Sequence, residues 1–213
     1  DNSVSLIKQN FPQVKLMALK QNIGYGRANN KALLEVKTDF ALLLNPDVII
    51  EEHAIDKVLE AMQKSDKIAL ASPVIYSCLL ENNKIIQEKL VQKPNDKSVI
   101  FENDDFYFTK FITGAAMFMN MKLMRDVGFF DEGFFLYCED NEICRKKKKK
   151  GYDKVIVKGV KFHHLSGKSS VLDEKELAKV YWHKFGWSKC YYTELMHNVF
   201  LAKLKSLAVI LKA

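Results

Sequence analysis

Three acidic side chains and a pair of histidines are the residues of this sequence whose types and spacing could do chemistry. Asp47 follows the continuous apolar run Phe40–Leu44, which predicts a central strand buried on both faces of a parallel sheet. Pro46 ends this strand, because proline cannot donate to a sheet ladder. Ligands of open α/β sheets bind at the carboxyl ends of the strands, so the Asp47 carboxylate is a candidate ligand-binding group. A solvated aspartate in a strand-to-turn junction is the equal alternative.

Glu139 and Asp140 are the second acidic group, and they end a loop of unusual composition. That loop is rich in aromatic and acidic side chains: Phe129, Phe130, Asp131, Glu132, Phe134, Phe135 and Tyr137. Carboxylates among aromatic rings favour a partly desolvated site with a raised pKa, as a general base requires. Both residues also lie where a helix is predicted to begin, so helix capping is the alternative.

His163 and His164 follow a strand predicted at 154–161. Histidines in this setting more often pack or face solvent than bind a ligand. They are relevant here because neutral imidazole is a good metal ligand and Asp47 is a candidate partner.

A glycine turn at residues 21–27 is the remaining candidate for ligand binding. Gly24 and Gly26 permit backbone conformations that side chains forbid, and they allow a ligand to approach closely. A glycine turn that opens a helix after a strand could hold a phosphate or a base. The turn lacks both the three-glycine dinucleotide fingerprint and a P-loop lysine, so it is a weak signal by itself.

Hydrophobic patterns predict the elements that position these residues. Strands are predicted at 14–19, 40–44, 68–74, 111–119 and 154–161, and helices at 3–11, from about 28, at 51–62, at 121–127 and from 139. Periodicity is lost at 76–110, where we expect short strands at most.

The composition describes a globular chain. With 213 residues, 48% of them hydrophobic, it can form a sizeable core in one domain with an appendage. Its four cysteines show no metal or disulfide spacing, which favours reduced thiols in a cytoplasm. Neither a spanning apolar run nor a signal peptide is predicted.

The charge is unevenly distributed. Residues 1–140 carry 16 Lys and Arg against 20 Asp and Glu, whereas residues 141–213 carry 17 against 6. The basic end predicts an anionic partner, namely a lipid surface, a phosphorylated substrate or nucleic acid, unless the lysines at 146–150 form a solvated helix face. No nucleic-acid-binding motif accompanies it.

Residues 181–213 are aromatic and basic, then apolar, and predict a helix on the cytoplasmic membrane surface or, equally, one docked on the protein.

Five segments in order resemble the family 2 glycosyltransferases, particularly the rhamnosyltransferase type that builds bacterial surface polysaccharide such as O-antigen. The segments are NIGYGRANN at 22–30, LLLNPD at 42–47, ITGAAMFM at 112–119, GFFDEGFFLYCEDNEICRKKKKKGY at 128–152 and HHLSGKSS at 163–170. The resemblance implies a GT-A fold, an α/β fold whose Rossmann-like, mostly parallel central sheet is flanked by helices. It covers residues 1–186, with 187–213 as a helical extension. It also implies that the first βαβ segment of the family, on the order of 30 residues, is missing and that nucleotide binding is weak.

The resemblance further implies an inverting, metal-dependent enzyme that uses Mg²⁺ or Mn²⁺. It would transfer a sugar from a nucleotide-diphosphate sugar to a glycan or lipid-linked acceptor, in the cytoplasm and in peripheral contact with the inner membrane surface. Nucleic acid is not an expected partner. A non-catalytic, decayed or truncated sugar-nucleotide-binding protein is the alternative.

The resemblance also assigns roles to individual residues. Asp140 matches the catalytic base, with Glu139 beside it. Asp47 matches the metal-binding position, although Asn45 replaces the first acid of that motif. His164 matches a histidine that joins the metal in some relatives, with His163 as the fallback. The nucleotide-sugar-binding positions are Asn22, Gly24, Arg27, Asn30, Asn45, Asp47 and Gly114, and the acceptor-binding positions are Asp131, Phe135 and Tyr137.

Overall fold

An eight-stranded sheet flanked by helices forms the centre of the protein. The computed structural model describes residues 2–81, 84–90, 97–165, 174–197, 199–200 and 202–203. The helices are α1 (Ser3–Asn10), α2 (Tyr25–Leu33), α3 (Ala54–Gln63), α4 (Met121–Val127), α5 (Glu139–Lys149) and α6 (Glu174–Met196). The strands are β1 (Phe40–Leu44), β2 (Val48–Ile50), β3 (Ile68–Glu81), β4 (Lys84–Leu90), β5 (Val99–Glu102), β6 (Phe106–Thr109), β7 (Ala116–Asn120) and β8 (Asp153–His164).

The strand order differs from a mostly parallel sheet. The order is β1-β7-β3-β8-β6-β5, with β2 paired to β8 and β4 paired to β3. Strand β7 is antiparallel to both of its neighbours, so β1, β3 and β8 share one direction but only β3 and β8 are paired in parallel among the described strands. The prediction of a mostly parallel sheet is therefore wrong for this part of the chain. The apolar runs predicted the strands correctly, but such runs carry no information about the direction of a neighbour.

Strand β1 has the predicted boundaries but does not lie at the centre of the sheet, as was predicted. It pairs with β7 and lies at the end of the described sheet order, and Leu44 is exposed while Leu43 is buried. The prediction that it is a central strand buried on both faces is wrong. Its carboxyl end nevertheless leads into the turn that carries Asp47.

Two hydrophobic clusters cover the two faces of the sheet. Alternation along β7 separates them: Phe118 packs in the cluster with α3, whereas Met117 and Met119 pack with α2, α4 and α5. Helix α5 is therefore fixed on one face by Ile143 and Cys144, which are fully buried. This arrangement holds the start of α5 over the connection that precedes β7.

Several predicted elements have different boundaries in the structure. Residues 14–19 form no strand, because no described strand lies beside them to pair with their backbone, and Val14 and Leu19 are exposed. The strand predicted at 111–119 begins only at Ala116, since a turn at Gly114 precedes it. The helix predicted at 51–62 begins at Ala54, after the unpredicted β2.

Helix α4 confirms its prediction in full. It runs from Met121 to Val127, with the Asn120 side chain accepting the Leu123 N–H at 3.3 Å and Gly128 at its end. Short strands β4, β5 and β6 occupy the region where short strands at most were expected. The expectation is wrong at the start of that region, because the 14-residue strand β3 extends to Glu81 and does not end at residue 74.

The lysine run on α5 is partly buried. The Lys147 side chain is fully buried and its Nζ donates to the Gly128 carbonyl at 2.8 Å. Burial, followed by the neighbouring Lys146 charge, lowers the pKa of Lys147 to about 7. At this position the interpretation of the run as a solvated face is wrong.

Helix α6 is continuous across residue 186, where the predicted domain ends. Residues 204–213 and the Ser-Gly-Lys-Ser-Ser segment at 166–170 lie outside the described residues. None of the helices that the structure describes combines the length and apolarity needed to cross a membrane.

Candidate active site

The turn at 45–47 is fixed from two sides by backbone hydrogen bonds. Its first residue donates its N–H to the Ala115 carbonyl at 2.9 Å, and its last residue accepts the Leu165 N–H at 2.9 Å. Strand β2 follows directly and pairs Val48 with His164. The turn thus lies between the connection before β7 and the end of β8.

Asp47 and His164 approach each other in this turn. The distance from Asp47 Oδ1 to His164 Nε2 is 3.2 Å. The Asp47 side chain is buried, and its Oδ1 has no hydrogen-bond partner in the structure. A buried carboxylate oxygen without a partner is costly unless something satisfies it. Carboxylate oxygen and imidazole nitrogen are both ligands for divalent cations, so the pair fits such an ion.

The pair would be an incomplete ligand set. Within the described ranges, no three Cys, His, Asp or Glu residues come close enough to hold a metal together. Mg²⁺ commonly binds through one or two carboxylates while substrate phosphates and water supply the remaining ligands. Two protein ligands alone would thus leave most coordination positions of such an ion to other groups.

His163 points to the other face of β8. Its Nε2 lies 2.8 Å from Glu88 Oε1, since successive side chains of a strand alternate between faces. Of the two predicted histidines, the structure places His164 beside Asp47.

The Gly24 turn packs directly on the aromatic loop, by which we mean residues 129–138. Gly24 has a φ of +90°, and its N–H donates to the Asn22 side chain at 2.9 Å. The next N–H, of Tyr25, donates to the Phe135 carbonyl at 2.9 Å. A Cβ on Gly24 would lie 2.4 Å from that same carbonyl oxygen. The close backbone approach that the glycines permit is thus made with the aromatic loop.

We expect Gly24→Ala to lower the free energy of unfolding by about 2 kcal/mol or more, because it adds a steric clash to an unfavourable φ. Gly151→Ala is the matched control: Gly151 has a φ of +77° and open space around its Cβ position. The control should lose only about 1 kcal/mol. Urea unfolding of both variants measures the difference, and equal losses would contradict the close contact.

Tyr25 connects the glycine turn to the connection before β7. Its hydroxyl donates to the Gly114 carbonyl at 2.7 Å. Burial, and then the charges of Glu139 and Asp140, raise the pKa of Tyr25. The tyrosine therefore lies close to the acidic pair and fixes the backbone beside it.

Glu139 and Asp140 open α5 in different environments. Glu139 is buried at 6% exposure, and its Oε2 has no hydrogen-bond partner, whereas Asp140 is half-buried. Burial raises the pKa of Glu139 to about 7, with a further contribution from the Asp140 charge. Burial also raises the pKa of Asp140, while backbone hydrogen bonds from Asn141 and Gly114 act against it. The more accessible Asp140 is better placed to meet a substrate.

The capping interpretation of the acidic pair holds in part, because neither residue is the N-cap but Asp140 accepts an N–H of the first turn of α5. The N-cap residue is Cys138, whose φ is +68° and whose side chain makes no capping bond. Asp140 Oδ1 accepts the Asn141 N–H at 2.8 Å, which is a local contact within the first turn.

Because Glu139 is buried, we expect the free energy of unfolding to depend on pH. Its pKa rises from 4.5 in the unfolded chain to about 7 in the folded protein. Between these values the unfolded chain has released the proton that the folded protein still holds, so the free energy of unfolding falls as the pH rises. Glu139→Gln removes this titration. We therefore expect the free energy of unfolding of the variant, relative to that of the wild type, to increase by on the order of 1–3 kcal/mol from pH 4.5 to pH 8.

Urea unfolding at these two pH values measures the gain. Glu51→Gln, at an exposed site before α3, is the control and should show no such trend. A constant difference between Glu139→Gln and the wild type at both pH values would contradict the burial of a titrating carboxyl.

Arg27 and Asn30 face the aromatic loop. The Arg27 Nε donates to the Glu132 carbonyl at 2.7 Å. The Asn30 amide accepts the Phe130 N–H and donates to the Phe130 carbonyl, both at 3.0 Å, and also donates to Glu132 Oε1 at 3.1 Å. In this structure these two of the seven residues predicted to bind the nucleotide sugar hydrogen bond to the aromatic loop.

Helix α6 covers the other side of the aromatic loop. The Phe134 and Tyr191 rings meet at 4.8 Å, and the Tyr191 hydroxyl donates to Asp131 Oδ1 at 3.1 Å. Further along the loop, Lys184 lies 4.0 Å above the Phe135 ring. The three residues predicted to bind an acceptor (Asp131, Phe135 and Tyr137) thus each contact α6, with Tyr137 packed edge-on against Phe185 at 6.2 Å. Of the two alternatives for the C-terminal stretch, this part of it docks on the protein.

The two halves of the site meet at Gly114 and Ala115. Ala115 binds the turn that carries Asp47, and Gly114 contacts both Tyr25 and Asp140. Residues predicted from the sequence occur in both halves. Tyr25 and Tyr191 were not predicted: Tyr25 is recognisable from its contacts with Gly114 and the aromatic loop, and Tyr191 from the contact of that loop with α6.

Comparisons with known proteins identify the family and the fold of the chain. A sequence model of the family described as Glycosyl transferase family 2 matches residues 1–128. Among curated proteins, the chain is 22% identical to the N-acetylglucosaminyl-diphospho-decaprenol L-rhamnosyltransferase of Mycobacterium tuberculosis (strain CDC 1551 / Oshkosh), over 81% of this chain and 66% of that protein. The chain therefore spans just under two thirds of this relative.

Solved structures share the fold. GalNAc-T7, solved with UDP, GalNAc and Mn²⁺, superposes with a TM-score of 0.60 and 16% identity over 91% of this chain and 40% of that one. The Pyrobaculum calidifontis mannosyltransferase PcManGT, solved with GDP-Man and Mn²⁺, superposes with a TM-score of 0.60 and 12% identity. The match covers 100% of this chain and 62% of that one. S. aureus TarS, solved with UDP-GlcNAc, superposes with a TM-score of 0.55 and 11% identity. The match covers 98% of this chain and 67% of that one. The chain has the same fold as these glycosyltransferases.

Proposed function

The chain belongs to glycosyl transferase family 2, and from that premise we propose that it transfers a sugar from a nucleotide-diphosphate sugar to a hydroxyl of a glycan or lipid-linked acceptor, with inversion. One observation carries the proposal: the turn that carries Asp47, which lies beside His164, donates to the Ala115 carbonyl, and the adjacent Gly114 backbone contacts Asp140 of the acidic pair. The Asp47–His164 pair suits the phosphates of a donor. The acidic pair suits proton removal from an acceptor.

The donor side consists of Asp47, His164 and the glycine turn. The orphaned Asp47 Oδ1 beside an imidazole fits Mg²⁺ or Mn²⁺, with Asp47 and His164 as its protein ligands. Such an ion, when bound, would neutralise the negative charge that develops on the departing diphosphate. We assign the backbone and side chains of Asn22, Gly24 and Asn45 to the nucleotide sugar. Arg27 and Asn30 position the aromatic loop beside it.

Asp140 is the general base of the proposed reaction. It removes the proton from the acceptor hydroxyl as that oxygen forms a bond to the anomeric carbon, and the bond from this carbon to the diphosphate oxygen breaks. One base and one direct displacement invert the anomeric configuration, whereas retention requires a second carboxylate as nucleophile. Glu139 is less exposed than Asp140, and burial, followed by the charge of Asp140, raises the pKa of Glu139 and favours its protonated form.

The aromatic loop forms the acceptor side. Phe135 and Tyr137 are half-buried and shortly precede the acidic pair in the chain, so we assign their exposed parts to packing on a sugar ring and to excluding water. Asp131 accepts hydrogen bonds from the Gly133 N–H at 2.8 Å and from Tyr191, which stabilises the loop conformation.

A lipid-linked acceptor places the reaction at the cytoplasmic face of a membrane. We propose cell-surface polysaccharide synthesis as the role, on the basis of the named activity of the mycobacterial relative. The basic C-terminal part of the chain would support peripheral contact with anionic lipid there.

A panel of nucleotide sugars tests the proposal. Each is incubated with the chain, Mn²⁺ and an N-acetylglucosaminyl-diphospho-polyprenol, and release of the nucleoside diphosphate is measured. We expect acceptor-dependent release from at least one donor, and lower release with Asp140→Asn. Tight nucleotide binding without release from any donor would instead identify a non-catalytic binding protein.

A further inference from the structure

An apolar cavity lies on the outer side of α6. Its volume is about 230 Å³, and its described lining comes from one face of α6 and from the residues that follow this helix. These residues are Trp187, Cys190, Tyr191, Glu194, Val199, Ala202 and Lys203. Only Glu194 and Lys203 among them carry a charge. The cavity therefore favours an apolar occupant.

Two apolar side chains of the lining are largely exposed: Trp187 at 66% and Val199 at 52%. Their chain neighbours Leu195, Met196 and Phe200 are also exposed. A cluster of this kind on one surface marks a binding site more often than chance exposure.

Tyr191 joins this cavity to the aromatic loop. It lines the cavity, and it also packs on Phe134 and donates to Asp131. A Cβ on Gly133 would lie only 2.3 Å from the Tyr191 ring, so loop and helix are in direct contact. A ligand in the cavity is thus one side chain away from the loop that borders the acidic pair.

We propose that this cavity binds the proximal isoprenoid units of a lipid-linked acceptor, an assignment that rests on the proposed function and identifies its acceptor class. An isoprenoid chain supplies the apolar, flexible shape that the cavity and its exposed rim accommodate. The sugar attached to it would then lie on the aromatic loop. Tyr191 couples the two parts, because it contacts both.

Lysines in the lining and along α6 suit the phosphates of such an acceptor, while Glu194 is the acidic residue of the described lining. Lys203 lines the cavity, and Lys184 and Lys189 lie on the same helix, over the Phe135 and Phe185 rings respectively. An anionic group between the isoprenoid and the sugar would pass through this basic region. A bilayer surface shares part of this chemistry, so the test separates the two.

Binding of farnesyl phosphate, monitored by calorimetry, tests the proposal without requiring turnover. We expect the wild type to bind farnesyl phosphate about tenfold or more tightly than isopentenyl phosphate, which has the same head group and a shorter chain. Val199→Asp should remove that preference. Val14→Asp is the matched control, since Val14 is also 52% exposed but lies at the other end of the chain, and it should retain the preference.

Three results would overturn the proposal. The first is equal binding of the two phosphates by the wild type. The second is retention of the preference in Val199→Asp, or its loss in both variants. The third is Val199-dependent binding to anionic phosphatidylglycerol vesicles without binding of farnesyl phosphate, which would assign the surface to the bilayer.

The transfer reaction distinguishes a failure of this inference from a failure of the proposed function. Val199-dependent binding of farnesyl phosphate by a chain that transfers no sugar would support the cavity and contradict the function. Transfer with the same KM to acceptors with and without an isoprenoid would support the function and contradict the cavity.

Discussion

Asp140→Asn is expected to lower turnover by about 10²-fold or more while it leaves donor binding nearly unchanged. Asp140 is the more accessible carboxylate of the acidic pair, and a general base acts on the acceptor rather than on the donor. The substitution preserves the shape of the side chain and removes its ability to take a proton. Donor binding by calorimetry and transfer at fixed Mn²⁺ measure the two quantities.

Glu139→Gln is the matched comparison for this prediction. Glu139 is adjacent and buried, so its loss should reduce turnover less than the loss of Asp140. Near wild-type transfer by Asp140→Asn would remove Asp140 from the role of base. A parallel loss of donor binding and transfer would do the same, because it would place Asp140 on the donor.

Asp47→Asn has the second largest expected effect, the loss of Mn²⁺-dependent nucleotide binding. The Asp47 carboxylate is buried, lies 3.2 Å from His164 and has an Oδ1 without a hydrogen-bond partner. An amide at this position keeps the size of the side chain but removes the negative charge that attracts a divalent cation. Nucleotide titrations with and without Mn²⁺ measure the change, and circular dichroism shows whether the fold is retained.

Asp39→Asn provides the control for the Asp47 variant. Asp39 is exposed and precedes β1, so it lies at the opposite end of the strand that leads to Asp47. It should bind nucleotide as the wild type does, with the same dependence on Mn²⁺. Unchanged Mn²⁺-dependent affinity in Asp47→Asn would exclude this residue as a metal ligand.

The local elements of the site were predictable because each has a short-range signal. The apolar run before Pro46 predicted β1, Gly24 predicted the turn before α2, and Gly128 predicted the end of α4. The prediction was wrong for Gly26, because α2 begins at Tyr25 and not near residue 28. Such signals depend on backbone restrictions and on periodicity within a few residues. They predict where an element lies along the chain, but not which elements pack beside it in the fold.

The arrangement of these elements depended on long-range contacts that the sequence does not display. Strand β7 lies between β1 and β3 and is antiparallel to both, which the apolar runs could not indicate. Asn30 hydrogen bonds to Phe130, a hundred residues away, so its side chain holds the loop. The basic, aromatic composition of α6 fitted a membrane surface as well as the contact with the aromatic loop that the structure describes.

The anomeric configuration of the transferred sugar tests the central claim most directly. NMR of the acceptor after incubation with the nucleotide sugar and Mn²⁺ reports both whether a sugar has been added and with which configuration. We predict one added sugar whose anomeric configuration is opposite to that of the donor, because Asp140 alone assists a direct displacement. A product with the configuration of the donor, or an unmodified acceptor beside tightly bound nucleotide, would contradict the account.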